Sequence, residues 1–156
     1  MNSINYSFFN NEKHAKGFKS INAAWIEHYF GLEEIDLHYL DNPQSEILDK
    51  GGFIMIAESG DKVVGTCAMI KMQGDDYDFE LAKMGVDEKF RGLGIANQLA
   101  DLCIQKAKEL GAKKIYLESN SKLKPALKLY RKLGFKDAQD IESPYCRCDA
   151  QMSLVL

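Results

Sequence analysis

The stretch VDEKFRGLGIANQLADLCIQKAKELG, residues 86–111, decides the fold of this chain. It begins like the end of a strand and continues with apolar residues at the spacing of an amphipathic helix. Between the two lies a short turn with Gly92 and Gly94, next to Arg91. The first N–H groups of a helix have no internal partner, and the helix dipole adds positive charge there. The stretch therefore predicts an anion site, with a phosphate or pyrophosphate as its natural ligand.

Other interpretations of the glycine turn stay open on these residues alone. A Walker loop is excluded because no Gly-Lys-Ser/Thr follows. The dinucleotide motif G-x-G-x-x-G would have Asn97 at its third glycine, and Glu118 would be the acid that binds a ribose. That motif opens a parallel sheet, however, whereas antiparallel hairpins are predicted before this turn. The glycines could also do no more than turn a tight corner between a strand and a helix.

The rest of the chain supplies alternating and continuous apolar segments that predict strands on both sides of this stretch. Together they indicate one α+β domain over residues 1–156, with α/β/α layers, a mostly antiparallel sheet and one central βαβ crossover. Helices are predicted at residues 12–30, 33–40, 95–110 and 125–133, with one helical turn after Asn42-Pro43. Strands are predicted at 4–9, 77–86 and 113–119, in a hairpin over 53–72, and in a final hairpin formed by 135–141 and 149–156.

Composition narrows the classes of function. The 156 residues carry a net charge of −3, which argues against a nucleic-acid partner because phosphates need a basic surplus. No apolar run is long enough for a membrane span and no signal peptide is visible, so we expect a cytoplasmic protein without a membrane partner. We expect no metal, since Cys146 and Cys148 lack a second pair of ligands at zinc spacing. Cys67 and Cys103 read as small buried apolar residues.

A second motif, ALKLYRKLGF at residues 126–135, follows the next predicted strand. The segment RGLGIA at 91–96 fits the pattern R/Q-x-x-G-x-G/A. This pair, with the antiparallel strands before it, resembles the GNAT superfamily of acetyl-CoA-dependent N-acetyltransferases. The order of elements over residues 4–156 resembles that family too. The resemblance implies a sheet of about six to seven strands with splayed central strands, flanked by about four helices.

The resemblance implies how acetyl-CoA, the acyl donor, would bind. The glycine turn would hold the pyrophosphate, and pantetheine would lie along a bulged strand, for which Gly85 is suited. The family asparagine that precedes the tyrosine is replaced here by Leu123, and Asn120 could take over its contact. The implied cofactor residues are Met84, Gly85, Val86, Arg91, Gly92, Leu93, Gly94, Ile95, Ala96, Asn97, Asn120 and Tyr130.

The resemblance also implies an acid for the leaving group. Tyr130 matches the family tyrosine that protonates the departing thiolate, although it also reads as an ordinary helix tyrosine that packs on its neighbours. A backbone N–H near Met84 would stabilise the oxyanion of a tetrahedral intermediate.

The acceptor amine needs a base, since free alkyl amines are protonated at neutral pH. Glu80 is the first candidate and Glu118 the second, with a water relay as the alternative. Strand alternation predicts Glu80 on the same face as Met84, and Lys83 on the opposite face.

The acceptor is predicted to be the primary amine of a small molecule or peptide. Carboxylates in the cleft would favour a cationic amine, while Arg147 could hold a carboxylate. A homodimer stays open. The alternative function is a coenzyme-A-binding sensor or interaction domain without catalysis. The residues expected to wall the acceptor site are Trp25, His28, Tyr29, Tyr145 and Arg147.

Overall fold

A computed structural model describes residues 3–74, 76–139 and 141–156. The strands are β1 (Ile4–Phe8), β2 (Phe53–Ser59), β3 (Lys62–Lys71), β4 (Phe79–Val86), β5 (Lys114–Ser119), β6 (Lys136–Asp137) and β7 (Ala150–Val155). The helices are α1 (Glu12–Tyr29), α2 (Glu34–Asp41), α3 (Ile95–Glu109) and α4 (Lys124–Lys132). A π-helical turn covers Gln44–Leu48 and a 3₁₀ turn covers Glu88–Phe90. The predicted α+β class and order of elements are confirmed.

The strands form one seven-stranded sheet in the order β1-β2-β3-β4-β5-β7-β6. Only β4 and β5 are parallel, and α3 connects them as the predicted crossover. Their pairing begins at Phe79↔Ile115 and ends at Leu81↔Leu117, so the C-terminal half of β4 has no partner on that side among the residues that the structure describes. The predicted splay of the central strands is present there.

Each face of the sheet has its own apolar core. α3 and α4 pack on one face, where Ile95, Leu99 and Leu127 are buried against strand residues. α1, α2 and the π-helical turn cover the other face through Phe18, Leu40 and Ile47. Burying each such side chain contributes roughly 1.5–3 kcal/mol to stability, and this holds the two helical layers against the sheet.

A β-bulge interrupts the pairing of β3 with β4. Thr66 pairs with Gly85 and Ala68 with Ala82, so two residues of β4, Lys83 and Met84, oppose one residue of β3. Lys83 has a φ of 50°, which is uncommon for a residue other than glycine. The bulge is therefore centred on Lys83 and not on Gly85 as expected.

The bulge changes which side chains share a face of β4. Lys83 reaches Asp36 of α2, on the side where Glu80 and Ala82 line a pocket, while Met84 packs with the core under α3. The prediction that Glu80 and Met84 share a face opposite Lys83 is wrong, because strict alternation fails at an inserted residue.

A buried hydrogen-bond chain holds the bulge in place. The hydroxyl of Thr66 donates to the Lys83 carbonyl at 3.0 Å, and Asn22 Nδ2 donates to Thr66 Oγ1 at 3.0 Å. Trp25 Nε1 donates to the Asn22 amide oxygen at 3.0 Å. A Cβ on Gly85 would lie 2.8 Å from Trp25 Cδ1, so glycine is needed here for close helix packing and not for the bulge.

The ends of the sheet differ in detail from expectation. The final hairpin is present, but β6 has two residues and β7 lies between β5 and β6. The turn predicted after Asn42-Pro43 is π-helical and begins after Pro43. Across the described ranges, none of the helices combines the length and hydropathy that crossing a bilayer would require.

Candidate active site

A cleft of about 470 Å³ opens where β4 and β5 diverge, and we call it the large cleft. Its walls are the end of β4, the glycine turn 91–96, the start of α3 and one side of α4. Two of the predicted cofactor residues, Leu93 and Asn120, do not line it, and the Leu93 side chain is 61% exposed. The predicted cofactor residues that do line it are Met84, Gly85, Val86, Arg91, Gly92, Gly94, Ile95, Ala96, Asn97 and Tyr130.

The glycine turn presents free backbone N–H groups to the large cleft. Gly92 and Gly94 have φ values of 79° and 80°, a conformation that side chains disfavour. The first backbone bond of α3 runs from Gln98 N to Gly94 O, so the three preceding N–H groups have no acceptor within the helix. Nothing lies within 4 Å of a Cβ built on either glycine, which leaves the turn open to an anion.

We expect Gly94→Val to weaken anion binding at this turn by at least tenfold, that is by about 1.4 kcal/mol. The branched side chain would occupy the open space and strain the left-handed backbone by about 1–2 kcal/mol. Gly111→Val is the matched control, because Gly111 has a φ of 84°, open surroundings and a position outside the cleft. Melting temperatures should fall alike in both variants. If titration calorimetry gave equal affinities of the two variants for the anion, Gly94 would be purely structural. The same conclusion would follow if circular dichroism showed that Gly94→Val is unfolded.

The β4 edge along the large cleft carries unpaired backbone groups. Gly85 and Val86 pair with β3 on one side, but beyond Leu81 no strand pairs with β4 on the cleft side. Unpaired strand edges bind extended chains through main-chain hydrogen bonds. The edge from Met84 to Val86 can therefore hold an extended ligand that carries amide groups.

Tyr130 lies on the α4 wall of the large cleft. Its ring packs edge-on against Phe135, with centroids 5.9 Å apart. Burial raises the pKa of Tyr130 above its ordinary value, so the hydroxyl keeps its proton at any working pH. Among the described residues, no hydrogen bond involves this hydroxyl, which leaves it able to donate to a ligand.

A smaller pocket of about 60 Å³, which we call the small pocket, adjoins the large cleft through the gap between the strands. Glu80 and Glu118 line it, together with the predicted acceptor residues Trp25, Tyr145 and Arg147. Six residues line both cavities and mark the junction between them: Trp25, Ala82, Lys83, Glu118, Ser119 and Leu123.

The two carboxylates of the small pocket have different surroundings. Burial and the neighbouring charge of Glu118 raise the pKa of Glu80 to about 7, while Lys83 opposes the shift. The Glu118 oxygens accept hydrogen bonds from the hydroxyls of Tyr116 at 2.7 Å and Ser143 at 2.8 Å. Glu118 is thus held by its neighbours, whereas Glu80 can exchange a proton near neutral pH.

A buried ionic network borders the small pocket, and sequence reasoning missed three of its members. Asp36 is fully buried and accepts from Lys83 Nζ at 2.7 Å and from both terminal nitrogens of Arg147 at 2.7 Å. Glu33 accepts from Arg147 Nη1 at 3.1 Å, and Lys83 Nζ donates to the Tyr145 hydroxyl at 3.0 Å. The network ties the loop that carries Arg147 to α2.

Charge pairing sets the protonation of this network. Burial alone would raise the pKa of Asp36, but the hydrogen bonds from Arg147 and Lys83 outweigh it and hold that pKa at about 2. Burial lowers the pKa of Lys83, and the Asp36 carboxylate opposes the change. The pKa of Arg147 is raised: burial acts to lower it, and the bonds to Asp36 more than compensate.

Three predicted residues take positions that differ from expectation. Tyr29 lines the large cleft and not the small pocket. His28 lines neither cavity and packs edge-on against Tyr29, with ring centroids 4.8 Å apart. Asn120 lines the small pocket, where its amide donates to the Arg147 carbonyl at 2.6 Å and accepts from Lys122 N at 2.8 Å. Its side chain therefore fixes the loop that carries Arg147.

The described residues contain neither a group of metal-ligand side chains nor an activated thiol at Cys67. Within residues 3–74, 76–139 and 141–156, no three His, Cys, Asp or Glu side chains are grouped so that they could hold a metal ion. Cys67 and Cys103 are buried, and the pKa of Cys67 is raised by its hydrogen bond with Cys103 and by burial. A thiol with a raised pKa is a poor nucleophile.

Comparison with known proteins gives consistent matches. The model of the Acetyltransferase (GNAT) family matches residues 18–135. The chain is 38% identical over 82 residues to the uncharacterized N-acetyltransferase YjgM of Escherichia coli K12, a match that covers 52% of the chain and 49% of YjgM. The chain thus spans about half the length of the first curated relatives that it matches.

Two solved structures illustrate the shared fold. An acetyltransferase of the GNAT family from Staphylococcus aureus Mu50 superimposes with a TM-score of 0.85 at 24% identity, over 97% of this chain and 98% of that one. The Salmonella typhimurium acetyltransferase yncA, solved with its cofactor acetyl-CoA, gives 0.78 at 17% identity, over 99% and 94%. At these identities the likeness concerns the fold.

Proposed function

Because the chain belongs to the GNAT acetyltransferase family, we propose that it transfers an acetyl group from acetyl-CoA to the primary amine of a small molecule or peptide. The family and the acyltransferase class predicted from the sequence are confirmed by this membership, and acetyl-CoA is the acyl donor of the family. One observation carries the proposal: the large cleft has the glycine turn along its wall and joins a small pocket with two carboxylates.

The large cleft has the chemistry that acetyl-CoA requires. The free N–H groups after Gly94 suit its pyrophosphate, with Arg91 beside them. The unpaired edge from Met84 to Val86 suits the amides of pantetheine. The structure of yncA, which shares this fold, contains acetyl-CoA, and this supports acetyl-CoA as the ligand here.

The residues on the two sides of the junction then have distinct roles, with Glu80 in the small pocket and Met84 and Tyr130 in the large cleft. Glu80 accepts a proton from the acceptor ammonium, directly or through a water, and the free amine attacks the acetyl carbonyl carbon. A backbone N–H near Met84 donates to the carbonyl oxygen as its negative charge develops. Tyr130 donates a proton to the sulfur as the carbon–sulfur bond breaks. The attacking nitrogen loses its second proton as the amide forms, and that proton restores Tyr130 through solvent. The proton gained by Glu80 leaves to solvent.

Binding of acetyl-CoA is expected without added metal, because the proposed contacts are backbone N–H groups and side chains. Titration calorimetry in EDTA measures it, and micromolar affinity is the expected order of magnitude. No binding at millimolar acetyl-CoA would refute the proposal, and binding of NAD in its place would favour the dinucleotide interpretation. A screen of amines that follows free thiol release then tests turnover. Binding without turnover on any amine would support the inactive coenzyme-A-binding domain.

A further inference from the structure

The guanidinium of Arg147 has one edge that the protein does not use. Nη1 donates to Glu33 and Asp36, and Nη2 donates once, to Asp36. A guanidinium carries five N–H donors in a fixed plane, so Nε–H and one Nη2–H remain. These two lie side by side on the same edge of the plane. Among the described residues, neither has an acceptor, although Arg147 lines the small pocket.

The protein holds this edge rigidly. Asp36 binds the adjoining Nη1–Nη2 end of the guanidinium through two bonds of 2.7 Å, and the centre of the Tyr145 ring lies 4.3 Å from Cζ. The side chain of Arg147 is only 15% exposed. A fixed planar fork with two parallel donors matches the geometry of a carboxylate.

The small pocket also contains the complementary charge. Glu80 and Glu118 line the pocket close enough to repel each other, and within the described ranges neither carboxylate forms an ion pair. The positive charges of Lys83 and Arg147 are neutralised by ion pairs with Asp36, and Arg147 also pairs with Glu33. The lining of the pocket therefore combines two acids with a guanidinium that has an open donor edge. Its volume of about 60 Å³ leaves room for only a small group between them.

We infer that the acceptor is an α-amino acid with a free carboxylate, bound by the open edge of Arg147 with its amino group at Glu80 and Glu118. This inference rests on the proposed acetyl transfer and names its acceptor class. An α-amino acid carries its amine and its carboxylate on one carbon, which suits a pocket of about 60 Å³ that is lined by both the acids and the guanidinium. A peptide N-terminus or a polyamine lacks the α-carboxylate and leaves the fork unused.

The test compares matched acceptors in the thiol-release assay. Each of the common amino acids is measured beside its own carboxamide and its decarboxylated amine, with spermidine as a cationic reference. At least one free amino acid should exceed its carboxamide and its amine by about 10²-fold or more in kcat/KM, because an unfilled buried fork is costly. Transfer to carboxamides, simple amines or spermidine at equal or higher kcat/KM would overturn the inference but keep the proposed function. Transfer to no amine at all would overturn both.

Arg147→Lys separates carboxylate binding from support of the loop. Lysine keeps the charge and loses the two-donor edge, so the preference for the free acid over its carboxamide should fall about 10²-fold. Glu33→Gln is the control, because Glu33 holds Arg147 and the Cys146 N–H without touching the open edge. In that variant both acceptors should change together. An unchanged preference in Arg147→Lys, with both acceptors slowed equally, would show that Arg147 only supports the loop.

Discussion

Tyr130→Phe should lower kcat by about 10²–10⁴-fold, because a proton donor contributes a factor of this size when a leaving group departs. The hydroxyl lies on the wall of the large cleft, and burial raises its pKa, so it remains a donor over the whole working range. Affinity for acetyl-CoA should stay within a few-fold, because the ring and its packing on Phe135 are kept. Steady-state kinetics and calorimetry on the same preparation measure both quantities.

The stability of this variant provides an internal check. No described hydrogen bond is lost, so the melting temperature should hardly change. Tyr6→Phe is the control: Tyr6 lies on the edge strand β1, outside both cavities, and burial raises its pKa as well. That variant should keep full turnover. Parallel losses of affinity and kcat in Tyr130→Phe would make the tyrosine a packing residue, and an unchanged kcat would mean that water protonates the sulfur.

The order of elements was within reach of the sequence because each signal is local. The apolar stripe of α3 predicts that helix from its own residues. Gly92 and Gly94 predict the turn before it, and this turn lines the large cleft. The prediction that β4 and β5 splay apart rested on the resemblance to the family, since no local sequence signal marks where their pairing stops. Its outcome, pairing that ends at Leu81, agrees with that expectation.

The bulge and the ionic network could not be predicted in this way. Lysine has no preference for a positive φ, so the sequence does not indicate a bulge at Lys83. The bulge was predicted at Gly85 because glycine tolerates such a conformation. Asp36 lies on a helix of eight residues that reads as polar surface, and its partner Arg147 is 111 positions away. Charged residues are rarely buried without a partner. Only the tertiary fold shows that these two are partners.

The position of Lys83 matters for the chemistry of Glu80. Because the bulge turns Lys83 to the face of Glu80, a positive charge lies near the proposed base and lowers its pKa. Asp36 pairs with Lys83 and balances that charge. Burial and Glu118 therefore raise the pKa of Glu80, and the shift is limited by Lys83, which strict alternation along β4 would place on the other face.

Glu80→Gln should slow turnover at pH 7 by about 10²-fold and change the shape of the pH profile, because it removes the proposed base and keeps the size of the side chain. In the unmodified protein, kcat/KM should rise with pH and level off above about 7, where Glu80 is ionised. In the variant, the rate should keep rising towards the pKa of the free amine, near ~10. Initial rates from pH 5 to 9.5 with a saturating donor measure this difference.

Glu118→Gln is the matched control, since it removes the repelling charge and leaves Glu80. The bend of its profile should move to lower pH. Above the bend, kcat at saturating acceptor should persist, while KM rises because Glu118 also faces the acceptor amine. If Glu80 only attracts a cationic amine, Glu80→Gln would raise KM at an unchanged kcat. Unchanged kinetics in Glu80→Gln would exclude Glu80, and loss of the plateau in Glu118→Gln would instead assign the base to Glu118.

The stability of Glu80→Gln should move in the opposite direction to its activity. The pKa of Glu80 is raised in the folded protein from 4.5 to about 7, so the folded state binds more protons than the unfolded state between these values. The stabilising contribution of protonated Glu80 is therefore complete below pH 4.5 and is lost as pH rises through 7. Glutamine cannot ionise, so at pH 8 the free energy of unfolding of the variant should exceed that of the unmodified protein by about 1–3 kcal/mol. The variant should therefore unfold at a higher denaturant concentration at pH 8, and this difference should disappear at pH 4.5. Equal denaturant midpoints at pH 8 would mean that ionised Glu80 is well solvated, which would remove the physical basis for its role as a base near neutral pH.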